Sequence, residues 1–122
     1  MIPTEHDEQA AFVQWFGYTY PGVLMYANIN GVRTSFKQIR KVKAEGMVSG
    51  IPDLEIPAWN LFIEMKRVKG GTVSPEQKQV IQYLQNNGKV VFVCKGCDDA
   101  IASVESFLRD NPELLKNHVP LV

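Results

Sequence analysis

Histidine and cysteine are scarce in this chain, with two of each among 122 residues. Neither His6 nor His118 stands in a metal-binding spacing with Cys94 and Cys97, so a zinc site of these residue types fits poorly. The CKGC spacing by itself also suits a redox pair. Cys94 ends an apolar run, however, where a free cysteine behaves as a small hydrophobe, and the pair reads best as structural. An excess of one charge is missing as well: 13 Lys and Arg balance 13 Asp and Glu, so the molecule as a whole is no polycation. No apolar run approaches the roughly 20 residues that span a bilayer. Met1 is followed by neither a basic n-region nor an apolar h-region, which argues against secretion and for a cytoplasmic protein. Repeats, low-complexity tracts and interdomain linkers are lacking too, so residues 1–122 read as one domain. A hydrophobic fraction of 45% suits a packed core and excludes a disordered chain.

Local charge is present where net charge is not. From Arg33 to Lys43 the sequence RTSFKQIRKVK carries five basic residues and no acid. At 100° per residue Lys37, Arg40 and Lys41 fall on one side of a helix, with Phe36, Ile39 and Val42 opposite. Such a stripe is either a solvated face or a patch that attracts phosphates.

The elements follow from caps and periodicity. Thr4, with Glu5 and Asp7 behind it, opens a helix to about Phe16. Gly17 and Tyr20-Pro21-Gly22 then break the chain before VLMYAN, a strand. Thr34 or Ser35 caps the basic helix, which Gly46 ends. Strands are expected at 52–56 and 61–67, joined by a Pro-Ala-Trp-Asn connection of hairpin length. Ser74-Pro75-Glu76-Gln77 combines an N-cap, a proline at the first helical position and a capping-box glutamine. The helix it opens ends near Gly88. KVVFVC is a buried strand, and Asp98 opens a last helix to about Asn111.

The charges on the two middle strands are awkward, because buried charge is costly unless paired or bound to metal. Residues two apart share a strand face, so Glu64 points with Lys66, and Asp53 with Glu55. A hairpin can bring Asp53 to Glu64. By itself this could be an exposed face with a cross-strand ion pair. The helices add a second pointer. Glu8, Ala11, Phe12 and Trp15 make one stripe, and Gln77, Val80, Ile81 and Leu84 another, each with a polar residue at its N-terminal end. Together these residues suggest a polar pocket in which a cation neutralises the carboxylates. Oxygen ligands without cysteine or histidine suit Mg²⁺ or Mn²⁺. A cation held there would acidify a water able to attack phosphorus, and a neighbouring lysine would stabilise the charge that develops.

Gly50-Ile51-Pro52-Asp53, ten intervening residues and Glu64-Met65-Lys66 resemble the PD-(D/E)XK nuclease motif. With Gly70-Gly71, Ser74-Pro75-Glu76-Gln77 and Gly88 before VVFVC, the chain from Glu8 to about Leu108 is similar to one branch, the virus-type replication-repair nuclease (VRR-NUC) domain. The resemblance implies an α/β fold with a restriction-endonuclease-like αβββαβ core, a four-stranded mixed sheet flanked by helices. It implies metal binding by Asp53, Glu64, a first-helix acid matched to Glu8, and the Met65 backbone carbonyl. Lys66 matches the catalytic lysine, and Gln77 a glutamine that orients it or the water. Glu55 matches no family role and reads as structural or as a support to the metal-binding residues.

The family also implies a Mg²⁺- or Mn²⁺-dependent DNA endonuclease; the local basic patch supplies the candidate DNA contacts, Arg33, Lys37, Arg40 and Lys41. A chain of this length resembles the stand-alone phage and bacterial type, without an accessory DNA-binding domain. Such nucleases resemble Holliday-junction resolvases, which implies branched DNA as substrate and a two-fold homodimer. A sequence-specific or defence endonuclease, or a silent DNA-binding module on the same fold, is the alternative. The apolar residues of the tail PELLKNHVPLV either form such an interface or fold onto their own domain.

Overall fold

The computed structural model describes residues 1–28 and 36–122, with the backbone alone at 36–39. The chain runs α1 (Glu5–Thr19), β1 (Tyr26–Ala27), α2 (Phe36–Ala44), β2 (Leu54–Ile56), β3 (Leu61–Lys66), α3 (Pro75–Asn86), β4 (Val90–Lys95), α4 (Cys97–Asp110) and a short α5 (Glu113–Lys116). The strands form one sheet in the order β1-β2-β3-β4. The first two pairings are antiparallel and β3-β4 is parallel. This is a mixed four-stranded sheet flanked by helices, the α/β fold expected.

Local chemistry explains most boundaries. Thr4 caps α1 by accepting from the Asp7 N–H at 3.1 Å. The helix runs past Gly17 to Thr19, three residues beyond the expected end, and the chain turns only at Pro21 and at Gly22, whose φ is +87°. Proline cannot continue the helical hydrogen bonding, whereas a single helical glycine is tolerated. The expected strand VLMYAN shrinks to Tyr26–Ala27. The capping box of α3 forms as expected, Ser74 and Gln77 bonding reciprocally. The Pro57–Trp59 connection is a 3₁₀ turn closed by Asn60 in the left-handed region at φ 51°. The caps expected at Thr34 or Ser35 lie outside the described residues.

β3 lies between β2 and β4, and all six of its residues are buried. Burial on both faces makes any charge on this strand expensive. The core joins Phe12 and Phe16 of α1 to Leu54, Ile56, Leu61, Ile63 and Met65 of the hairpin, and to Ala100, Val104 and Leu108 of α4. The α4 residues recur every fourth position, one stripe of the helix. On α3 the expected stripe Gln77, Val80, Ile81 and Leu84 is half-buried. After α5 the tail returns onto its own domain, where the Leu121 N–H donates to Gly22 O at 2.8 Å. The Val119 and Leu121 side chains remain exposed. No helix among the described residues is long and apolar enough to cross a membrane.

Candidate metal centre

The hairpin register determines the site. Leu54 pairs with Ile63, Glu55 with Phe62 and Ile56 with Leu61; one step beyond, Asp53 faces Glu64. Because side chains alternate, Asp53, Glu64 and Lys66 share one side while Leu54, Ile63 and Met65 enter the core. Asp53 is fixed by its neighbours. Its Oδ2 accepts the Met65 N–H at 2.8 Å. The Asn28 N–H donates to its carbonyl at 2.7 Å, and Asn28 Nδ2 donates to Pro52 O at 3.1 Å. The clamp by Asn28 has no signature in the sequence, since it depends on β1 lying beside β2.

Glu64 is 1% exposed and Lys66 7%. Lys66 Nζ lies 3.1 Å from Glu64 Oε2. The Gln77 amide holds both: Oε1 accepts from Lys66 Nζ at 3.2 Å and from the Ser74 N–H at 2.9 Å. Its Nε2 donates to Glu64 Oε2 at 2.8 Å. The two donors to Oε1 leave one sensible orientation for this amide. The capping-box glutamine of α3 is therefore also bonded to the lysine and the glutamate. Gly71 packs along the lysine, so close that a Cβ there would lie 3.0 Å from Lys66 Cβ.

Glu64 Oε1 is buried and has no hydrogen-bond partner among the described residues. A carboxylate oxygen in that state is unfavourable unless it meets a proton or a cation. The carboxylates of Glu5, Asp53 and Glu64 each offer an oxygen within 4.8 Å of the other two. Burial, with Asp53 and Glu5 adding repulsion and Lys66 opposing it, raises the Glu64 pKa to about 7. Burial also raises Asp53, offset in part by the Met65 hydrogen bond, then by Lys66 and by side-chain hydrogen bonding with Glu64. It raises Glu5 too, where Lys66 opposes and Asp53 adds to the shift. Three carboxyls sharing one partly desolvated space resist simultaneous ionisation. An all-oxygen donor set with an unpartnered inner oxygen fits a hard divalent cation such as Mg²⁺ or Mn²⁺.

The helix acid of this cluster is Glu5, not Glu8, which corrects the expectation from sequence. The expected core stripe includes Ala11, but that residue is exposed, and the buried residues of α1 are Phe12 and Phe16. At 100° per residue Glu5 projects about midway between those two, roughly 20° from each, whereas Glu8 lies about 40° from Phe12 on the Trp15 side. Glu8 instead accepts the Cys97 N–H at 3.1 Å. The phenylalanine spacing carries the signal that selects Glu5.

The remaining expected residues separate cleanly. The Met65 side chain is fully buried in the core, while its N–H binds Asp53. Glu55 Oε1 accepts from the Tyr26 hydroxyl at 2.6 Å across the β1-β2 pair, a structural role. Arg40 and Lys41 are exposed on α2, while Arg33 and the Lys37 side chain lie outside the described residues. Cys94 and Cys97 are free. Burial raises the Cys94 thiol to about 11, and the Cys97 thiol is raised as well. Thiols raised by burial are poor nucleophiles, which fits structural cysteines.

The fold and the acidic cluster drawn from the β2-β3 hairpin and the start of α1 thus define an α/β domain with a candidate divalent-cation site. Among solved structures, the chain is similar to one described as a VRR_NUC domain protein. The TM-score is 0.74 at 24% sequence identity, with 89% of this chain and 91% of that chain covered. The two share a fold. No protein-family model matches the sequence, and no curated protein matches it.

Proposed function

We propose that this protein is a divalent-cation-dependent DNA endonuclease of the VRR-NUC kind. The observation that carries the reading is the Glu5–Asp53–Glu64 cluster, with Glu64 Oε1 unpartnered, beside the buried Lys66 amino group. The fold shared with a VRR_NUC domain protein supports the same reading.

Glu5, Asp53 and Glu64 would hold the cation, with the Met65 carbonyl a further candidate. When bound, Mg²⁺ or Mn²⁺ polarises a phosphoryl oxygen and acidifies a water. The chain's own residues do the rest. Lys66 carries positive charge into a nearly dry site, where it stabilises charge developing on the phosphoryl oxygens. Gln77 bonds both Lys66 and Glu64 and so holds their 3.1 Å ion pair in one geometry. The Asn28 and Met65 hydrogen bonds hold Asp53 before any ligand arrives, which lowers the reorganisation needed on binding. Arg40 and Lys41 are exposed cations suited to the DNA backbone, which carries no base information.

The finer reading is a branched or four-way-junction substrate served by two protomers, since each chain supplies one site and a junction has two symmetric scissile strands. End-labelled four-way junctions and linear duplex of matching sequence should be incubated with Mg²⁺, Mn²⁺ or EDTA. Cleavage should require the cation, favour the junction in paired cuts, and disappear in Asp53→Asn and Glu64→Gln while both variants stay folded. Light scattering of the free protein should give twice the chain mass. Undiminished cleavage by Glu64→Gln or in EDTA would overturn the nuclease site. A monomer that cuts the two strands independently would overturn only the resolvase reading.

A further inference from the structure

Helix α4 starts without a cap of its own. Its N-cap residue is Gly96, which has no side chain to offer the first-turn N–H groups. An uncapped first turn leaves backbone donors unsatisfied. Glu8 supplies the missing acceptor from another helix. Its Oε1 receives the Cys97 N–H at 3.1 Å, and its negative charge sits at the positive end of the α4 dipole. Its Oε2 lies so close to Gly96 that a Cβ there would be 3.1 Å from it and 2.9 Å from Val68 Cγ2. Gly96 adopts φ +95°, so conformation and space both call for glycine.

The same turn is bonded to the candidate catalytic strand. The Gly96 N–H donates to the carbonyl of Lys66 at 2.9 Å. Glu8 therefore ties the first turn of α1 to main chain that is itself hydrogen-bonded to the end of β3. Glu5 is the first residue of α1, one turn before Glu8. Phe12 and Phe16 anchor the helix farther along, while Glu8 anchors the turn where Glu5 stands.

We propose that Glu8 is a positioning residue, which does not bind the cation but fixes the first turn of α1 against Gly96 and Cys97 and so keeps Glu5 within reach of Asp53 and Glu64. This inference rests on the three-carboxylate site proposed above. It separates two neighbouring acids of one helix by role: Glu5 as ligand, Glu8 as the brace that aims it. Loss of a supporting hydrogen bond to a metal ligand typically weakens metal binding by about 10- to 100-fold, and a comparable effect is expected here through the helix turn.

The test is Mn²⁺ binding without DNA, by calorimetry or electron paramagnetic resonance, with melting temperatures in EDTA as control. Glu8→Ala should weaken Mn²⁺ binding about 10-fold or more, while Glu8→Gln, whose amide oxygen still accepts from Cys97, should bind nearly as wild type. Glu8→Asp, one methylene short, keeps charge and solubility should Glu8→Ala fail to fold, and it too should bind Mn²⁺ less tightly. Glu8→Gln as damaging as Glu5→Gln would make Glu8 a ligand and overturn the proposal. Variants of Glu8 that melt lower yet bind Mn²⁺ as wild type would also overturn it, leaving only a helix cap. Unchanged Mn²⁺ binding by Glu5→Gln would instead defeat the three-carboxylate site itself.

Discussion

Glu64 and Lys66, two residues apart on β3, meet at 3.1 Å through Oε2 and Nζ, yet the pair leaves Glu64 Oε1 buried with no hydrogen-bond partner among the described residues. Buried ion pairs seldom repay their desolvation, and apolar residues of equal volume often serve stability as well or better. A half-satisfied pair on the most buried strand of the sheet therefore points to chemistry.

Lys66 should act on the transition state. Lys66→Ala is expected to lower the cleavage rate roughly 10²- to 10³-fold, the usual cost of removing one charge-stabilising donor. Single-turnover cleavage of prebound DNA measures this directly. Normal cleavage with lost DNA affinity would make the lysine a phosphate anchor.

Gln77 is bonded to three partners at once, Ser74, Lys66 and Glu64. Gln77→Ala removes the amide that bridges the lysine to the glutamate and takes one hydrogen-bond partner from each. Stability should fall by about 1–3 kcal/mol, the cost of leaving buried polar groups unsatisfied. Denaturant unfolding reads the loss, and an unchanged midpoint would contradict the role.

The cluster should make cation-free stability depend on pH. Glu64 is raised from 4.5 to about 7 in the folded state. Between those values the folded protein keeps a proton that the unfolded chain has released, so stability is greatest below about pH 4.5 from this group and falls as pH rises towards 7. Asp53 and Glu5 are raised in the same direction. Melting in EDTA across this range should show the decline, and Glu64→Gln should flatten it. Cation binding, which needs the carboxylates ionised, should strengthen over the same range.

Gly50 is required by close packing and by its backbone. A Cβ there would lie 2.8 Å from the Glu76 carbonyl carbon and oxygen and 3.0 Å from the Gln77 nitrogen, at φ +88°. Gly50→Ala must therefore push on the first turn of α3, which carries Gln77. We expect a loss of more than about 1 kcal/mol, above the ordinary effect of glycine replacement, together with slower cleavage. Unaltered unfolding and activity would show that the turn gives way freely.

Much of this site is legible in the sequence because alternation in a strand has only two answers. Alternation puts Glu64 with Lys66 on one face of their strand and Asp53 with Glu55 on one face of theirs, and the capping box locates Gln77. The register that sets Asp53 opposite Glu64 comes from the strand pairing itself. The rotation of α1 is harder to read. Ala11 is as compatible with an exposed helix face as with a core, and counting it inward turns the stripe far enough to select Glu8 over Glu5. The Asn28 clamp and the capping of α4 by Glu8 are contacts between elements distant in the chain, which no local pattern encodes. Helix α5 spans four residues, too few for periodicity to register.

The most direct test of the cation site is an anomalous difference map from crystals soaked in Mn²⁺. A single peak bounded by Glu5, Asp53 and Glu64, beside Glu64 Oε1 and lost in Glu64→Gln crystals, is the expected result. No peak there at Mn²⁺ concentrations that support DNA cleavage, or a peak on Glu8 in place of Glu5, would contradict it.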